Sequence, residues 1–220
     1  MRKLRILALM HPDLVPPESI GGMSKDEVAP FITEYNVVHT LKKLGHDVFN
    51  IGVYDDLSVI RHAIEKVKPH IAFNLLEEFG GHILLDQNVV SYLELMRLPY
   101  TGCNPRGLVL SRDKALSKKI LHYHRILVPE FMTFPRGRAK KRIKKPFYPM
   151  IVKSLLADAS AGISQASVVD NDDKLMQRVD FIHRRIGTDA IAERYIPGRE
   201  LYVGVFGNSR LKVFPPWELI

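Results

Sequence analysis

The sequence predicts an α/β chain in which a doubly wound parallel sheet is followed by an α+β part. Three observations point there. Leu4 to Met10 is nearly continuous in apolar residues, as a parallel strand covered on both faces requires. Strand and helix patterns then alternate through the first hundred residues. After Thr101-Gly102 the alternation gives way to short strands paired across turn signals.

Each element has its own local signal. Leu4 to Met10 is the first strand, and a long loop with Pro12, Pro16, Pro17, Gly21, Gly22 and Pro30 comes next. Val37, Leu41 and Leu44 recur at helical spacing, and Gly45 stands where a helix ends in a left-handed residue. Asp47 to Gly52 reads as the second strand, Asp55 to Lys68 as a helix stopped before Pro69, and His70 to Leu76 as the third strand. Val89, Leu93 and Met96 form a helix stripe, and Leu98 to Thr101 starts a further short strand. In the second half, Asp113 to Tyr123 is expected to be a helix carrying Lys114, Lys118 and Lys119. Phe131 to Phe134, Met150 to Lys153 and Ser164 to Val169 read as strands. Asp172 to Ile186 is a helix with Leu175, Val179 and Ile182 on one face, and Ala190 to Tyr195 is a strand. Leu201 to Phe206 and Leu211 to Phe214 flank Gly207-Asn208-Ser209-Arg210 as a hairpin does.

Composition excludes several classes. At 220 residues, with 46% hydrophobic and 25% charged, the chain can bury a core and is neither disordered nor fibrous. Its longest apolar runs are too short to span a bilayer. Met1-Arg2-Lys3 before an apolar run imitates a signal peptide, but the run stops at His11-Pro12 without a small-residue cleavage site. The lone Cys103 cannot form an intrachain disulfide, which fits a cytoplasmic location. The +8 net charge comes almost entirely from Arg136, Arg138, Lys140, Lys141, Arg142, Lys144 and Lys145. No aromatic residue is interleaved with these cations, so nucleic acid is a poor candidate partner. The loop 136–145 reads as a solvated connector, or alternatively as a docking site for an acidic partner.

Four segments in order resemble one family. Tyr92 to Gly102 resembles the junction segment of D-alanine–D-alanine ligases, and Ser111-Arg112-Asp113-Lys114 with Ser117-Lys118 resembles the stretch just after that junction. Met150-Ile151-Val152-Lys153 resembles the strand that presents an ATP-binding lysine, and Glu193 to Glu200 resembles the nucleotide hinge. The resemblance runs from about Asn74 to Phe206 and implies an ATP-grasp fold. The expected organisation is a Rossmann-like domain over 1–102, a central ATP-grasp lobe over 103–194 and the start of a C-terminal lobe over 195–220.

The resemblance also implies site residues. Lys114 and Lys153 would contact phosphate, and Lys153 stands out because three apolar residues precede it in a strand pattern. Leu156 to Ser164, with Ser160 and Gly162, occupies the place of a phosphate-covering loop; an ordinary turn is the alternative. Glu193 would accept from the adenine amino group, the Ile196 backbone would pair with a ring nitrogen, and Glu200 would accept from ribose hydroxyls. For the ammonium group of an amino-acid substrate the candidates are Glu27, Glu77 and Glu78, each with an exposed surface carboxylate as its alternative. His11 and His82 have no metal-ligand spacing with another His or Cys.

In this family the magnesium ligands and the groups that stabilise acyl transfer come late in the chain. They are expected beyond Ile220, so no catalytic or metal residue is assigned here, and the cofactors implied are ATP and Mg2+. The expected activity is ATP-dependent carboxylate–amine ligation through an acyl phosphate, on a small amino-acid or carboxylate substrate. The 220-residue chain by itself is expected to be a fragment without useful turnover of ATP and D-alanine. Self-association through an apolar face around Val203, Val205, Val213 and Phe214 is also expected. The alternative is a noncatalytic module that keeps part of a nucleotide cleft and docks a partner with its basic loop.

Overall fold

The computed structural model describes residues 2–138, 146–157 and 162–219. It divides into two compact units, Met1–Ser117 and Lys118–Ile220.

The first unit is built on β1 (Arg5–Met10), which lies between two parallel neighbours. On one side is β2 (Asp47–Gly52), with Arg5 opposite Asp47, and on the other is β3 (Ile71–Asn74), with Ile6 opposite Ile71. Side chains alternate across a strand, so β1 serves two cores. Leu7 and Leu9 pack with Ile60 of α3 (Ser58–Val67) and with Val89 and Leu93 of α4 (Asp86–Leu95). Ala8 and Met10 pack with Val38 of α2 (Ile32–Lys43). Helices on both faces account for the continuous apolar run, and they make the sheet doubly wound. Gly45 adopts φ +88° after α2, where its N–H donates to the Lys42 carbonyl at 2.9 Å.

Two details of this unit differ from the sequence reading. Leu98 to Thr101 forms only a single parallel bridge, Ala72 to Tyr100, rather than a strand. Pro99 lacks an N–H, so the ladder there reduces to Ala72 N–H onto the Pro99 carbonyl and Thr101 N–H onto the Ala72 carbonyl. A short helix α1 (Lys25–Val28) interrupts the first loop, and α5 (Pro105–Arg112) precedes α6 (Lys114–Tyr123). Both additional helices carry ordinary start signals. Ser24 caps α1, and the Asn104 side chain accepts from Gly107 N–H at 2.8 Å just before Pro105.

The second unit is an antiparallel sheet in the order β4 (Phe131–Phe134), β7 (Ala190–Arg194), β5 (Met150–Ser154), β6 (Val168–Val169). One face is apolar: Met150, Val152, Val169, Ala190 and Ala192 pack against Leu175 and Val179 of α7 (Asp172–Phe181) and against Ile182 just beyond it. The helix continues as a wider turn to Ile186, and Gly187 closes it at φ +78°. The Tyr148 hydroxyl donates to Asp172 at 2.6 Å and ties the lead-in of β5 to the first turn of α7. Burial and this hydrogen bond both raise the Tyr148 pKa. Of the expected strand over Ser164 to Val169, only β6 is extended. Gln165–Ser167 form a tight turn instead, because the Ser167 hydroxyl accepts from Ser164 N–H at 3.0 Å and competes with the ladder.

The expected hairpin joins β9 (Val205–Phe206) to β10 (Lys212–Val213), with Lys212 opposite Phe206. Around it β8 (Leu201–Tyr202) pairs with β11 (Trp217–Glu218). Val203, Val205, Val213 and Phe214 are all exposed. The core of the second unit therefore rests on α7 against the sheet. Replacing fully buried Leu175 by Ala is expected to lower unfolding free energy by about 2–5 kcal/mol. Leu201→Ala, at a position 55% exposed, should change it by no more than about 0.5 kcal/mol. Urea unfolding followed by circular dichroism measures both.

Candidate functional site

The face of the second sheet opposite α7 carries the polar chemistry. Lys153 on β5 stands opposite Ile191 of β7, and Glu193 of β7 stands opposite Ile151. Lys153 and Glu193 are therefore diagonal neighbours on one face, while Val152 and Ala192 between them point to the apolar core. Lys153 Nζ lies 3.0 Å from Glu193 Oε2. Lys118, one turn into α6, places its Nζ 3.5 Å from the same oxygen.

Glu193 is only 4% exposed, and the side chains of Lys118 and Lys153 are 14% and 24% exposed. A buried carboxylate needs cations beside it, and here it has two. Their formal charges sum to +1. Among the described residues the second carboxylate oxygen, Oε1, is buried without a hydrogen-bond partner. An unused buried acceptor next to surplus positive charge suits a ligand that brings an N–H donor and negative charge.

The other second-unit candidates have their own surroundings, and Gly162 sits against α7 and the turn after it rather than on this face. Beyond β7, Tyr195 N–H donates to the Pro149 carbonyl at 2.9 Å, and Ile196 is 61% exposed. The Arg194 guanidinium is held by Glu130, with Nε at 2.9 Å from Oε2. Glu200 is exposed, and its carbonyl accepts from Leu219 N–H at 3.2 Å. Gly162 adopts φ +70°, and a Cβ there would come within 2.9 Å of Ile186 Cδ1. Its carbonyl accepts from Arg178, a residue the sequence reading did not single out. The Ser154 hydroxyl accepts from the Leu156 and Ala157 amides at 3.2 and 2.8 Å, fixing the start of the following loop. Ser160 lies outside the described residues, as does the basic run over 139–145. Arg136, at the start of that run, donates its N–H to Asp189 at 2.8 Å.

The remaining candidates belong to the first unit. An open hollow of about 540 Å³ lies past the carboxyl ends of β1 and β3, where parallel sheets bind ligands. Glu77, Glu78, His11 and Glu34 line it. His11 Nδ1 accepts from Asp13 N–H at 3.2 Å, and His11 Nε2 faces Glu78 Oε1 at 3.8 Å. The Glu77 carbonyl accepts from Arg112, whose guanidinium also pairs with buried Asp86. Glu34 is 7% exposed, and the sequence reading missed it; its only signal was a carboxylate in the first turn of a helix. Glu27 is not among the lining residues. It completes a capping box with Ser24, accepting from that residue's N–H and hydroxyl, each at 2.8 Å. Lys114 opens α6 behind Asp113, whose carboxylate accepts from Leu116 N–H at 2.9 Å.

Among the described residues no three His, Cys, Asp or Glu side chains group as a metal site. Among the same residues no helix is long and apolar enough to cross a membrane.

A parallel α/β unit followed by an antiparallel sheet with one lysine-bearing face is the architecture of the ATP-grasp ligases, and comparison with solved structures bears this out. The D-alanine–D-alanine ligase of Coxiella burnetii superposes with a TM-score of 0.70 at 21% identity, over 99% of this chain and 71% of that one. The Bacillus anthracis enzyme complexed with ATP gives 0.68 at 20% identity, over 96% and 70%. In sequence, residues 119–220 match the family described as D-ala D-ala ligase C-terminus. A D-alanine–D-alanine ligase of Syntrophotalea carbinolica is 30% identical over 194 residues, covering 88% of this chain and 60% of the relative. The chain is similar to the D-alanine–D-alanine ligases and shares their fold, and it spans less than two thirds of the length of the curated relatives it matches.

The site geometry sets two measurable expectations. Glu193→Ala leaves two half-desolvated ammonium groups without their anion and is expected to cost about 3 kcal/mol of stability, measured by urea unfolding. Unchanged stability would mean that both lysines turn to solvent at no cost. The hydrogen bonds from the Ser24 backbone and then its hydroxyl lower the Glu27 pKa from its ordinary 4.5. A lowered carboxylate contributes above its unfolded pKa and is lost as pH falls through the folded one. The Ser24 amide resonance should therefore report loss of the cap with a midpoint below 4.5 in an NMR titration.

Proposed function

We propose that this chain is the nucleotide-binding part of an ATP-dependent carboxylate–amine ligase that works through an acyl phosphate. The observation that carries the reading is the buried, unpartnered Glu193 Oε1 beside Lys153. Adenine presents an exocyclic amino group, and its triphosphate presents dense negative charge. One needs an acceptor and the other fixed cations, and this face supplies both.

In this reading Glu193 Oε1 accepts from the adenine amino group, the exposed Ile196 backbone pairs with a ring nitrogen, and Glu200 accepts from the ribose. Lys153 and Lys114 orient the phosphates, and Gly162 is a further candidate for contact with them. The hollow lined by Glu77 and Glu78 receives the ammonium group of an amino-acid substrate, and Glu27 is a further candidate for that group. The proposed lobes are 1–102, 103–194 and 195–220.

The substrate carboxylate oxygen bonds to the γ-phosphorus as the bridging P–O bond to ADP breaks. The amine nitrogen then bonds to the acyl carbon, the bond from that carbon to the phosphate oxygen breaks, and the amine loses a proton. Lys153 acts in the first step by holding negative charge in place while it redistributes, with no reorganisation of solvent. Magnesium is the expected counter-ion of ATP, and among the described residues no three His, Cys, Asp or Glu side chains group to hold it.

The test is titration calorimetry with ATP. Lys153→Ala is expected to weaken binding by ~1.5–3 kcal/mol, the range for a hydrogen bond to a charged group. Equal affinity for wild type and variant would overturn the assignment.

A further inference from the structure

We propose that Lys118 is a positioning residue for nucleotide recognition: it neutralises and aims Glu193, and so releases Lys153 to serve phosphate. This rests on the nucleotide reading above and goes beyond it.

The geometry sets one anion between two cations. Lys153 Nζ and Lys118 Nζ approach the same oxygen of Glu193, at 3.0 and 3.5 Å, and leave Oε1 without a partner. The three side chains come from three different elements, α6, β5 and β7. With Lys153 alone, every step that draws its ammonium toward a phosphate would strip a carboxylate of 4% exposure of its counter-charge. That cost is the penalty of an uncompensated buried charge, and it would be subtracted from ATP affinity. Lys118 removes the conflict. It lies on a helix rather than a sheet strand, is the more buried of the two lysines, and can neutralise Glu193 while Lys153 moves. Because both lysines take Oε2, the carboxylate is also fixed in rotation, with Oε1 left free for an amino hydrogen. Lys118 thus couples the adenine end of the site to the phosphate end through one carboxylate, without touching the nucleotide.

The experiment compares ATP with inosine triphosphate, in which an oxo group replaces the adenine amino group, by titration calorimetry. Wild type should prefer ATP. Lys118→Met, nearly the same shape without the charge, should lose about tenfold in ATP affinity and most of its preference over inosine triphosphate. Lys118→Arg restores the charge and should recover both. Lys153→Ala should lose affinity for the two nucleotides alike and keep a preference between them. Should Lys118→Met fail to fold, Lys118→Gln keeps part of the stem and an N–H donor, and it carries the same expectation. An ATP preference unchanged in the folded neutral variants would overturn the role of Lys118 while leaving the nucleotide site standing. No binding of either nucleotide to wild type would overturn the nucleotide reading itself, and this inference with it.

Discussion

A carboxylate in the middle of a sheet is tolerated only where cations meet it, and the second unit is arranged around that constraint. Glu193 occupies β7, which has β4 on one side and β5 on the other, so its side chain cannot escape past an edge. Two lysines therefore have to come to it. Lys153 can, because β5 is antiparallel to β7 with the register that puts residue 153 diagonal to residue 193. A slip of one residue would turn Lys153 into the apolar core and Val152 onto the polar face. The register is held by Met150, Val152 and Ala192 packing on the helix side, so the core behind the sheet positions the charges in front of it.

The same division of labour appears in the first unit. Odd-numbered positions of β1 serve one layer of helices and even-numbered positions the other, which anchors the strand along its whole length. The carboxyl ends of β1 and β3 then open onto the hollow that collects His11, Glu34, Glu77 and Glu78. In both units an apolar core fixes the backbone, and the polar groups are placed where that backbone emerges or turns its other face. This is the general logic by which folds carry sites rather than activities. It is also why the amine-side residues stand as candidates while the Lys153–Glu193 pair carries the functional reading.

Much of this was legible in the sequence because it obeys local periodicity. The apolar run of β1, the boundaries of β2, the Leu175–Val179–Ile182 stripe and Gly45 at the end of α2 each follow from spacing or backbone preference. Lys153 was legible for the same reason, as a cation within an apolar strand pattern. The hydroxyl competition that shortens the strand before Val168 and the missing N–H of Pro99 are local as well, but weaker than the apolar pattern that masks them. Ser24 with Glu27, and Asn104 with Pro105, are helix-start signals in plain view, and the first gives Glu27 a structural partner. The pairing of Lys118 with Glu193 joins residues 75 positions apart, and Glu34 reaches the hollow only because α2 packs against β1 and β2. No periodicity reports contacts of that kind.

In the proposed function the Lys153–Glu193 face receives adenine and phosphate together. A structure of the protein with a non-hydrolysable ATP analogue tests this most directly. The adenine amino nitrogen is expected at about 2.9 Å from Glu193 Oε1, with the phosphates within reach of the Lys153 ammonium. An analogue seated elsewhere, with Oε1 still unpartnered, would contradict it.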